Sequence, residues 1–82
     1  MLNWRRRCYI TNPKRRWWEA DVGGGVTYRI DPVPFVGWEA ERADRSSGLN
    51  ATLSPTFKTK AEAVAWCEND YAQREMEMVG IA

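Results

Sequence analysis

Two basic triplets carry most of the chemistry this sequence could offer. Arg5-Arg6-Arg7 and Lys14-Arg15-Arg16 are interleaved with Trp4, Tyr9, Trp17 and Trp18. Basic side chains track phosphates while aromatic rings stack on bases, so the composition suits nucleic acid. It suits an acidic protein surface equally well, because Arg and Trp also dominate protein hot spots. A third reading makes the cluster a solvated edge strand whose charges deter aggregation. The candidate contact residues are Arg5, Arg6, Arg7, Lys14, Arg15, Arg16 and Trp17, with the balance toward a protein partner.

The remaining reactive types offer less. Histidine is absent, which removes the usual general base, the commonest metal ligand and both the Ser-His and Cys-His nucleophile pairs. Glu39 and Glu41 share one face of a strand, where outward carboxylates are ordinarily solvated charges. The glycine run 23–25 lacks the Gly-Lys-Ser/Thr ending and the strand-to-helix context of a phosphate loop and reads as a turn. Cys8 and Cys67 show neither Cys-x-x-Cys nor zinc spacing. They read as two buried free thiols, or as a pair lining one interface closely enough to oxidise. The expectation is no enzyme, no catalytic or metal-ligating residue and no cofactor.

The net charge of +1 conceals an asymmetry. Residues 1–16 hold six bases and no acid, whereas the other 66 hold six bases against eleven acids, −5 in all. The chain is bipolar, and its dispersed acids argue against a mimic of DNA. No run approaches the roughly 18 apolar residues of a membrane span. With no apolar signal stretch at the N-terminus, the expected compartment is the cytoplasm.

These residues need a scaffold, and 82 residues allow one small domain. Five Trp, three Tyr and two Phe supply a core from few side chains, since each ring buries about 150–250 Å². The helix that organises it is announced by Thr59-Lys60-Ala61-Glu62, a capping box. Ala63, Val64, Cys67, Tyr71 and Met78 then fall on one stripe at 100° per residue. Lys60 and Arg74 flank that stripe, and Gly80 is a stop signal. Period-two alternation predicts strands over 4–11, 17–21, 26–30 and 37–43, and a short edge strand over 51–53. Asn12, Pro13, Lys14 and Arg15 are turn chemistry, and Pro32 and Pro34 exclude a central strand there. Trp18-Glu19-Ala20 and Trp38-Glu39-Ala40 repeat as two strands solving one packing problem. The predicted fold is α+β: an antiparallel sheet of four to five strands with one long helix, 60–78, across one face, leaving Trp17, Arg29, Glu39 and Glu41 on the other.

The sequence from Trp17 to Arg74 resembles small phage or prophage proteins. The likeness rests on Trp-Glu-Ala, a glycine turn, Tyr28-Arg29-Ile30, a Trp-centred strand, and Phe57-Lys58-Thr59-Lys60-Ala61-Glu62-Ala63 leading to Asp70-Tyr71. The layout is also similar to AP2-like and integrase arm-binding domains, whose sheet face reads DNA, although Glu39 and Glu41 put negative charge on that face here. Small phage proteins of this size include anti-CRISPR inhibitors of bacterial defence. The resemblance therefore implies a non-enzymatic inhibitor in the bacterial host cell, occluding a surface of a host protein complex such as a CRISPR-Cas effector, as monomer or dimer. The alternatives are a nucleic-acid-binding domain using the same patch, and an assembly protein dimerising through the first strand edge.

Overall fold

The alternation of Val26, Tyr28 and Ile30 with Thr27 and Arg29 gives a strand one dry face and one wet face, and the rest of the sheet is built around it. The computed structural model describes residues 2–45, 48 and 50–81, with the side chains of all but 9, 13, 14 and 75–81. Five antiparallel strands lie side by side in sequence order: β1 (Arg5–Tyr9), β2 (Asn12–Gly23), β3 (Val26–Val33), β4 (Gly37–Asp44) and β5 (Asn50–Leu53). The helix α1 (Lys60–Ile81) follows and lies over β4 and β3. This is the expected α+β architecture.

Register carries the apolar residues to one face. Trp18 pairs with Ile30, Ala20 with Tyr28, Ile30 with Ala40, and Pro32 with Trp38. Tyr28, Ile30, Ala20 and Ala40 are buried there against Ala63 and Cys67 of the helix, with Leu2 and Val26 completing the core. Trp4, Trp18, Trp38, Phe57, Val64, Trp66 and Tyr71 pack around it. The repeated Trp-Glu-Ala segments flank β3, and their rings meet each other: Trp18 and Trp38 lie 5.8 Å apart at 60°, a tilted contact worth about 0.5–1.5 kcal/mol beyond its buried area. Lys60 Nζ sits 3.8 Å from the centroid of Trp18, so the flanking cation covers the core's edge as its position on the stripe requires.

The cap is a variant of the capping box. Thr59 Oγ1 accepts the Glu62 amide at 3.2 Å, as expected, but the Glu62 carboxylate accepts from the Thr59 hydroxyl at 3.0 Å. The helix runs through Gly80 to Ile81, so the glycine does not stop it, and Met78's side chain lies outside the described residues.

Two boundaries in the sheet depart from the sequence reading, each for a reason of pairing. The first turn is Ile10–Thr11, not 12–15, because Tyr9 pairs with Asn12 and β2 starts at once. The ladder is irregular between Tyr9↔Asn12 and Cys8↔Arg16, and in such a bulge Pro13 needs no N–H. β3 continues through Pro32 although it is a central strand. Trp38, opposite Pro32, gives its own N–H and C=O to Phe57, both at 2.7 Å, so Pro32's nitrogen faces β2 at a level beyond the last β2–β3 pair, Trp18↔Ile30. The missing donor therefore breaks no ladder bond. Finally, Cys67 is buried while Cys8 is exposed, both as free thiols, which corrects the expectation of two buried ones.

Ser54 and Phe57 extend the outer edge of β4 past β5. Ser54 N–H donates to Ala40 O at 2.9 Å and its Oγ accepts the Ala40 amide at 2.8 Å. Gly37 lets Phe57 come this close: its φ is +142°, and a Cβ there would lie 1.9 Å from the Phe57 carbonyl oxygen.

Candidate partner-binding surface

The groups with the most altered proton affinity are inside. Asp70 of α1 accepts the Tyr28 hydroxyl at 2.7 Å, and Arg42 Nη1 donates to both its carboxylate oxygens at 2.8 Å, while Nη2 reaches Thr52 at 3.2 Å. Burial first, then the bond to Asp70, raises the Tyr28 pKa well above its ordinary value. Burial, with Asp70 and Glu68 adding, pushes the Cys67 thiol up to about 12. The Arg42 guanidinium is raised by its bond to Asp70. Arg74 and Asp44 add a longer pair at 3.6 Å. Tyr28 and Cys67 have no exposed surface, and the bonds to Asp70 tie the helix to the sheet. Among the described residues, no three Cys, Asp or Glu side chains converge as metal ligands.

The open face is a lattice of mixed charge. One row across the strands reads Arg5, Glu19, Arg29, Glu41, and the next includes Arg7 opposite Trp17 and Asp31 opposite Glu39. Trp17 Nε1 donates to Glu19 at 2.7 Å, Arg7 lies 3.6 Å from Glu19, Arg29 stacks 4.5 Å from the Trp17 ring, and Arg29 makes a two-pronged bond to Asp31 at 2.8 and 3.1 Å. Glu39 and Glu41 stand on this face, as their alternation requires. Arg5, Arg7 and Arg29 thus face Glu19, Asp21, Asp31, Glu39 and Glu41, which makes the centre of the sheet a poor track for phosphates.

The basic patch is divided by this register. Arg5, Arg7 and Trp17 are on the open face. Arg6, opposite Trp18, points to the other, and Arg16 pairs with Cys8. The side chain of Lys14 lies outside the described residues. Arg15 and Arg16 meet a different neighbour: with Asn12, Pro32, Val33 and Pro34 they line a shallow groove of about 440 Å³.

That groove joins the two turns at one end of the sheet, because in an antiparallel meander the β1–β2 and β3–β4 connections emerge together. Both turns present apolar side chains to water: Ile10 is 98% exposed, Val36 58%, and Phe35 fully. Val36 N–H donates to Val33 O at 3.1 Å, and Phe35, with φ +66°, follows Pro34. This is type II turn geometry, with proline at its usual second position and phenylalanine at the third, where glycine or asparagine is expected. Sequence reasoning saw the prolines and missed the ring. The available signal was a turn, 33–36, with no polar residue in it. Comparisons with family models, curated proteins and solved structures find no match. The surface must therefore be read from its own chemistry.

Proposed function

We propose that this chain is a non-enzymatic binding protein that acts by occupying a partner's surface, as the phage-type inhibitors it resembles do toward a host defence complex. The observation that carries the reading is the turn end, where Ile10, Phe35 and Val36 stand in water next to the groove of Arg15 and Arg16. Exposed apolar groups beside arginine are the composition of interface anchors, and here a five-stranded sheet holds them in place. The strongly perturbed groups, Tyr28 and Cys67, are committed to packing, which supports a binding rather than a catalytic role. In this reading the protein works in the bacterial cytoplasm on a complex such as a CRISPR-Cas effector.

The test is phage plating on cells with active CRISPR-Cas immunity. Expression of the chain is expected to restore plaque formation by orders of magnitude against at least one effector type, and tagged chain is expected to retain that effector after nuclease treatment. Unchanged plating across effector types would remove the inhibitor reading. Retention lost on nuclease treatment would favour the open face, where Arg7 lies opposite Trp17 and Arg29 stacks on it, as a nucleic-acid contact. Log affinity would then fall with log salt by roughly 0.9 per duplex phosphate contacted.

A further inference from the structure

We infer that the turn end is the contact surface and that its occupant is a short acidic, apolar segment of a partner protein: carboxylates on Arg15 and Arg16, apolar side chains against Phe35, Ile10 and the Pro32–Pro34 shelf. This rests on the binding reading above and names the partner's chemistry.

Phe35 is the first argument. A bulky residue at φ +66° is a steric outlier that costs about 1–2 kcal/mol, and full exposure of its ring returns nothing to the core. Glycine at this turn position would remove the strain. Both the backbone and the ring are therefore held in a state the fold does not need, whereas a pocket on a partner would use it. The ring also stands on a proline-fixed turn, so docking has the side-chain rotamer to order but little backbone.

The groove is the second argument. Arg15 and Arg16 are exposed, and with Asn12 they supply the polar part of the lining, while Pro32, Val33 and Pro34 supply the apolar part. Guanidinium groups bind carboxylates by paired, charge-assisted hydrogen bonds. Six residues from two turns and their strand ends line the groove, a lining small enough to be covered by a short segment. A nucleic acid strand carries charge along its whole length, and extending from this groove over the open face it would meet Asp31 and Glu39, which pair across the strands there. A peptide segment need not leave the groove. Apolar aliphatic contacts from Ile10, Val33 and Val36 likewise match side chains better than a sugar-phosphate backbone.

The experiment uses the full chain, labelled with nitrogen-15, and three defined probes: a twelve-residue peptide of Asp, Glu, Leu and Phe, the same peptide with Lys in place of its acids, and a single-stranded DNA oligonucleotide. The acidic peptide is expected to shift the amides of residues 10–12, 15–16, 33 and 35–36, and the lysine peptide to leave them unmoved. Phe35→Gly is expected to lower the peptide's affinity at least tenfold while the melting temperature stays level or rises. Arg15→Ser with Arg16→Ser is expected to do the same and to flatten the salt dependence. Equal response to both peptides, shifts confined to other residues, or stronger shifts with DNA would each overturn the proposal. If a captured effector binds Phe35→Gly as well as wild type, this surface is wrong while the inhibitor reading stands. If plating is unaffected yet the acidic peptide binds here, the reverse holds.

Discussion

Under α1, Arg42 reaches across to Asp70, which also holds the Tyr28 hydroxyl; at the turn end, Arg15 and Arg16 flank an open groove and Phe35 stands in water. The same residue types, arginine and aromatic, serve opposite ends. In the first region Asp70 joins Arg42 and the Tyr28 hydroxyl, and the ring packs edge-on to Tyr71, with centroids 6.3 Å apart. In the second, backbone strain and ring exposure both oppose folding. Where side chains satisfy one another they explain stability; the strained, exposed Phe35 adds nothing to it, and the proposed docking role would use that ring.

The comparison breaks most sharply at Cys67. Replacement by Arg places a charge against a site with no solvent access, and because an unpaired buried charge costs several kcal/mol, comparable to the margin of so small a domain, circular dichroism should show an unfolded chain. Trp66→Ala, on the partly exposed flank, should melt cooperatively at a modestly lower temperature. If the two melt alike, the helix does not present Cys67 to the sheet. Asp70→Ala strands Arg42 and the Tyr28 hydroxyl together and should cost about 2–4 kcal/mol in urea unfolding. Gly37→Ala should cost about 2 kcal/mol or more, because its Cβ cannot coexist with the Phe57 carbonyl at 1.9 Å. At the other extreme Phe35→Gly should stabilise by about 1 kcal/mol, a gain no substitution under the helix should give.

Alkali offers a test of the same contrast. The folded state keeps the Cys67 and Tyr28 protons that the unfolded chain releases at its ordinary values, 9.0 and 10.0. The unfolded state then binds fewer protons, so stability is full below pH 9 and declines through about pH 12, by up to about 1.4 kcal/mol per pH unit for each group. In Cys67→Ala the decline should begin one unit higher. An unchanged onset would show that the thiol is not what titrates.

The sequence made the frame legible because its signals are local. Alternation at 26–30 and 38–43 assigned inward and outward faces correctly, down to Glu39 and Glu41 outside, and Thr59 with Glu62 marked the helix start. What escaped depends on partners distant in the chain. Asp70 meets residues 42 and 28 positions away, and no spacing announces that. Pro32 reads as a strand breaker until the absence of a β2 partner at its level is known. Asn12 and Pro13 carry turn chemistry, yet pairing to Tyr9 overrode it. For the candidate surface, the arginine triplet reads as one patch although period two divides it between faces. The association of Arg15 and Arg16 with the Pro32–Pro34 shelf required knowing that β2 lies beside β3.

The order of the strands has a consequence for how the chain reaches this structure. Each strand pairs only with its neighbours in sequence, so every ladder can grow from a short turn, and the loop-closure cost stays small until α1 docks. The sheet can zip from the β3–β4 hairpin in both directions, with helix docking as the step that commits the core. Refolding should therefore show a dominant phase well under a second by tryptophan fluorescence. Amides of β3 should be the last to exchange with solvent and those of the edge strands β1 and β5, each paired on one side only, the first.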